Sequence, residues 1–118
     1  MPADDWLMVG SRDDRIFKAT GLTEIPLDPT AILANTFLRA TMYTHARAWG
    51  LPTTACSVDR TATTTTFNCC APGRPEFHFT VVKGLTHAYP HGYNATTNPS
   101  GLVATDVFWP FFAAHPLP

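Results

Sequence analysis

The chain has 118 residues, of which 45% are hydrophobic and 14% charged, and a formal net charge of -1. This length sets a prior of one domain or less, and the apolar content excludes a chain too polar to build a core. The near-neutral balance gives no electrostatic footprint for nucleic acid or an anionic membrane surface, and no run approaches the ~20 apolar residues that a membrane helix needs.

The start, Met1-Pro2-Ala3-Asp4-Asp5, is acidic and lacks the basic region and apolar core of a signal peptide. Trp6-Leu7-Met8-Val9 is a short apolar run bounded by Gly10-Ser11-Arg12-Asp13-Asp14. That pattern predicts a buried parallel strand. Its polar residues then fall at the carboxyl end, where open α/β sheets place their chemistry. Residues 16–27 show no clear period. Asp28-Pro29 reads as an N-cap and first helical position. Leu33, Phe37, Ala40, Thr44 and Ala48 then recur at helical spacing and predict one helix over 29–49, stopped by Gly50 and Pro52. Such a helix spans roughly 30 Å, enough to cross a sheet.

Between Cys56 and Cys70, a run of Thr closed by Phe67 predicts a half-exposed extra edge strand, because Thr is β-branched. Residues 71–75 form a turn, and 76–82 a second strong strand. It runs into Gly84-Leu85-Thr86-His87 and then the Pro90–Gly92 turn. A strand followed by a turn with His at its tip is how a catalytic base is presented at the carboxyl edge of a parallel sheet. Residues 93–101 read as a polar loop. Residues 102–114 read as a closing helix with Val103, Val107, Phe108, Phe111 and Phe112 on one face, kinked or ended by Pro110. The order predicts an α/β fold over 1–118, with a parallel pair joined by a right-handed crossover.

On pattern alone, Asp13 reads either as a triad acid or as a turn former or helix cap, and Asp14 beside it can take either role. His87 reads as a base or as an ordinary loop histidine. His87 and His91 have the spacing of metal ligands on a helix, but Pro90 and Gly92 forbid a regular helix, so no metal site is expected. His45 and His115 read as surface helix residues, His78 as pointing out of its strand, and Trp49 and Trp109 as core anchors. Cys56 pairs with Cys69 or Cys70, or all three are buried thiols; the absence of CxxC spacing argues against a zinc ribbon. Asn94-Ala95-Thr96 is an N-glycosylation sequon. Sequon and cysteines together lean toward a secreted protein.

Four segments, in order, resemble the C-terminal half of the secreted polyhydroxybutyrate depolymerase and feruloyl esterase group of α/β-hydrolases. Gly10-Ser11-Arg12-Asp13-Asp14-Arg15-Ile16 is similar to that group's His-Gly-Thr-x-Asp-x-x-Val segment, whose Asp is the triad acid. Trp49-Gly50 before Cys56 is similar to its helix exit. Gly84-Leu85-Thr86-His87-Ala88-Tyr89-Pro90-His91-Gly92 is similar to Gly-x-Gly-His-x-Trp-Pro-Gly-Gly, whose His is the base. Residues 104–115 are similar to its closing helix, Ala-Thr-Glu-x-x-Trp-x-Phe-Phe-x-x-His. Val9 stands where the group has His, Thr86 where it has Gly, and Tyr89 where it has Trp, which puts Tyr89 in the substrate pocket.

The resemblance implies a partial α/β-hydrolase fold and a serine carboxylic-ester hydrolase with Asp13 as acid and His87 as base. It implies no cofactor, and esters of polyhydroxyalkanoates or of plant polysaccharide as substrates. No Gly-x-Ser-x-Gly occurs, and Ser11, Ser57 and Ser100 lack the strand–elbow–helix context of a nucleophile. The group carries that elbow and its oxyanion hole upstream, so a complementing sequence must supply them. The alternative is a non-catalytic α/β module that binds a partner or polysaccharide around Tyr89, Tyr93 and Trp109.

Overall fold

The computed structural model describes residues 4–114. Four strands form one mixed sheet: β1 (Asp5–Gly10), β2 (Cys56–Arg60), β3 (Thr64–Cys69) and β4 (Phe77–Val82), in the order β1-β4-β3-β2. β1 and β4 are parallel, as the pattern of two apolar runs separated by helix predicts; β3 runs antiparallel to β4, and β2 antiparallel to β3. The helices are α1 (Phe17–Thr20), α2 (Pro29–Ala34), α3 (Thr36–Ala48) and α4 (Ala104–Ala114). This is an α/β fold.

The side-chain period of two sorts the sheet into faces. Phe77, Phe79 and Val81 of β4 and Phe67 and Cys69 of β3 share one face and are buried. They meet Ile32 of α2 and Leu38, Met42 and Ala46 of α3, with Leu7 and Val9 of β1 packed against the same cluster. The opposite face carries Trp6, His78 and Thr80. Trp6 Nε1–H donates to Thr80 Oγ1 at 3.0 Å, its ring stacks on His78 at 4.6 Å, and Phe108 and Phe111 of α4 meet it edge-on. Helices therefore cover both faces.

Four local expectations change. The single helix over 29–49 is two, broken at Asn35. Asn35 is extended (φ -79, ψ 122); its Oδ1 accepts from Leu38 N–H and caps α3, while its Nδ2 donates to the Thr20 carbonyl. A residue with partners on both sides of the break holds it open. The Thr-rich stretch is not the edge. It is β3, enclosed between β4 and β2, so the extra element is a hairpin of two strands with β2 at the rim. Thr65 is fully buried, with its hydroxyl donating to the Leu27 carbonyl. Pro110 does not end α4, which continues to Ala114. Trp109 is no core anchor: it is 76% exposed, and Phe112 on the supposed inner face is 47% exposed.

Trp49 does pack against the core, with its Nε1 buried and unpaired among the described residues. His45 is only partly a surface residue: Nδ1 bonds Asp5 Oδ2 at 3.0 Å, and the ring stacks on Phe77. His78 points away from the main core as expected, but it lies between aromatic rings and bonds Asn68 and Glu76. His115 lies outside the described residues. Cys56 and Cys69 face each other across β2 and β3 and form the disulfide, leaving Cys70 exposed and free.

Candidate active site

The parallel register brings the carboxyl ends of β1 and β4 side by side, with Gly10 opposite Val82. The turn after β1 and the loop after β4 are then stapled together. Ser11 N–H donates to the Val82 carbonyl at 2.9 Å, and Arg12 N–H to the Leu85 carbonyl at 3.0 Å. Between them, Gly84 N–H donates to Ser11 Oγ at 2.7 Å in a buried bond. Two glycines permit this approach. A Cβ on Gly10 would overlap the Leu85 carbonyl, and one on Gly84 the ring of Pro99; Gly84 also holds φ +75, open to Gly at little cost.

The staple sets Asp13 against His87. Nδ1 of His87 lies 2.8 Å from Asp13 Oδ2. A carboxylate only accepts, so a hydrogen bond between the two requires the proton on Nδ1. The other oxygen, Oδ1, accepts from Arg15 N–H at 3.0 Å and caps a short 3-10 turn, Asp14–Ile16. Asp13 is thus both helix cap and histidine partner, one oxygen to each role. Asp14, its rival in sequence, is exposed and makes no bond to His87 among the described residues. The Asp13 side chain is 10% exposed and that of His87 55%. The Asp13 carboxylate is therefore fixed inside, while Nε2 of His87 has no hydrogen-bond partner among the described residues.

His87 opens onto a groove of about 400 Å³ along β1. Its walls are the outer edge of β1, the 85–90 loop and Phe108 of α4. Tyr89 stands at the rim, 57% exposed. A hydroxyl placed at Nε2 would lose its proton to His87 while Asp13 holds the imidazole in orientation, the division of labour of a serine-hydrolase triad.

The remaining sequence candidates fall elsewhere. Ser11 is buried and its Oγ is used by Gly84; Ser57 lies on the rim strand β2; Ser100 bonds Asn98 and Leu102. None bonds His87 among the described residues. His91 sits in a non-helical segment, where it bridges to Val103, so its spacing from His87 loses the meaning it has on a helix. Among the described residues no cluster of three His, Cys, Asp or Glu side chains is arranged to hold a metal ion, and no helix is long and apolar enough to cross a membrane. Asn94 is exposed on the 93–101 loop. Sequence reading missed Ser11 as part of the site. The signal available was its place between a strand-ending Gly and the Asp, but its partner, a glycine amide 73 positions away, leaves no mark on sequence.

Compared with known proteins, the chain matches no protein-family model, no curated protein and no solved structure.

Proposed function

We propose that this chain is the C-terminal part of a serine carboxylic-ester hydrolase, with Asp13 as triad acid and His87 as general base. The observation that carries it is the 2.8 Å Asp13–His87 pair at the carboxyl ends of two parallel strands, with the base opening onto a groove. Chain order supports it, since the acid precedes the base as in α/β-hydrolases. The segments that resemble the polyhydroxybutyrate depolymerase and feruloyl esterase group point to esters of hydroxyacid polymers or of plant polysaccharide. The nucleophile and oxyanion hole lie outside these residues, on sequence that also covers the open edge of β1. The Cys56–Cys69 disulfide fits an oxidising, extracellular setting.

The test is to read the open frame upstream of Met1 and express the extended chain. The expected result is a Gly-x-Ser-x-Gly elbow and hydrolysis of short hydroxyacyl or feruloyl esters. In that protein His87→Ala and Asp13→Asn each lower kcat by about 10⁴-fold. An extended chain that hydrolyses esters equally well without His87 would overturn the assignment. The exposed Tyr89, Tyr93 and Trp109 favour a second reading, a non-catalytic binding module; polysaccharide binding by the 118-residue chain, unchanged in His87→Ala, would select it.

A further inference from the structure

The segment between the dyad and α4 carries a feature that ester hydrolysis does not use. Asn94 and Asn98 close a tight loop through reciprocal backbone bonds: Asn94 N–H donates to the Asn98 carbonyl at 3.0 Å, and Asn98 N–H to the Asn94 carbonyl at 2.9 Å. Tyr93 through Thr96 are all exposed. Within the loop, Asn94 Oδ1 accepts from Thr96 N–H at 2.9 Å and from Thr97 N–H at 3.0 Å. This is an Asx turn, local and self-contained. It engages the amide oxygen and leaves Nδ2 without a hydrogen-bond partner among the described residues.

We propose that Asn94 is an N-glycan acceptor, with Thr96 as the hydroxyl residue of its sequon. The neighbouring Asn98-Pro99-Ser100 shows what a non-acceptor looks like. It has Pro at the middle position, Asn98 is 3% exposed, and its Nδ2 donates to the carbonyls of Gly92 and Leu102 at 2.9 Å each. Asn98 builds the loop; Asn94 is displayed by it. The donor is an oligosaccharide linked to a polyprenyl diphosphate. A bond forms between Asn94 Nδ2 and the sugar C1, the C1–O bond to the diphosphate breaks, and the amide proton passes to a base of the transferase. The oxidising compartment that closes Cys56–Cys69 is also the one in which such transfer takes place.

No residue of the 93–101 loop lines the groove of His87. Ala95, Pro99 and Ser100 of this loop line a cleft of about 460 Å³ with Arg12 and Lys83, and that cleft shares no lining residue with the groove of His87. The proposal therefore stands whether or not His87 is a catalytic base.

The test is expression of the full chain behind a cleavable secretory leader in a eukaryotic host, followed by mass spectrometry before and after endoglycosidase treatment. The wild-type chain is expected to carry one glycan, removed by the enzyme. Thr96→Ser is expected to keep it, and Asn94→Gln and Thr96→Ala to lack it. A second sequon added at the C-terminus reports translocation independently of folding. A wild-type chain bare at Asn94 but modified at the added sequon would overturn the proposal, as would a glycan that persists in Asn94→Gln.

Discussion

The two carboxylate oxygens of Asp13 are divided between a turn and a histidine, and that division governs what substitutions there do. Asp13→Asn keeps an acceptor for Arg15 N–H and hence the cap, but it presents an amide to His87 and can reverse the imidazole tautomer. Ser11→Ala acts differently, because it leaves the buried Gly84 N–H without its 2.7 Å partner. The expected cost is about 1–3 kcal/mol of stability, read as a lower denaturant midpoint, and His87 loses its fixed distance from Asp13. Gly10→Ala places a methyl against the Leu85 carbonyl. It costs at least the ~1–3 kcal/mol of an overpacked core, and a variant melting with the wild type would show that the turn and loop are not held together as described.

Among the elements, sequence reading misplaced the β2–β3 hairpin and the break at Asn35 and did not predict α1. Reduction of Cys56–Cys69 is expected to cost about 3 kcal/mol, as for loops of roughly 15 residues, and to be visible in thermal melts with and without a reductant. Asn35→Ala removes the cap on α3 and is expected to cost about 1 kcal/mol. A variant with unchanged stability would show that the break at 35 is set by the tertiary contacts of α2 and α3 rather than by the side chain. The parallel pair β1 and β4 was legible as two continuous apolar runs, although only β4 is buried as expected and β1, at the edge of the sheet, is half-buried. So was α4 as a helix, although Phe112 on its supposed inner face and Trp109, read as a core anchor, are exposed. The break at Asn35 was not, since Leu33 and Phe37 keep helical spacing across it and the deciding bond runs to the Thr20 carbonyl. The Thr run misled for a related reason. Thr suits a rim by polarity, but Thr65 is buried with its hydroxyl satisfied by the Leu27 carbonyl, and a polar residue can line a core once it is paired. Asp13 and His87 were each legible as candidates, but their contact depends on strand register and on Ser11.

At the scale of the whole molecule, β1 has a strand neighbour on one side only among the described residues, and its other edge opens onto the groove of His87. An apolar edge of this kind invites pairing with another chain. Trp109 and Phe112 add exposed apolar area on α4. The 118-residue chain alone is expected to self-associate as its concentration rises, seen by sedimentation, and to hydrolyse esters no faster than buffer. A chain that stays monomeric at high concentration and turns over esters would contradict both expectations. Extension upstream is expected to suppress association and to create activity together, because one segment would cover the edge and bring the nucleophile. The dyad itself is tested most directly by nitrogen-15 NMR of His87 in its neutral form, on the disulfide-bonded chain at a concentration below self-association. The expected result is a proton on Nδ1 and a bare Nε2, with that tautomer lost in Asp13→Asn. A proton on Nε2 in the wild type, or a spectrum indifferent to Asp13→Asn, would contradict the assignment of Asp13 and His87 as acid and base.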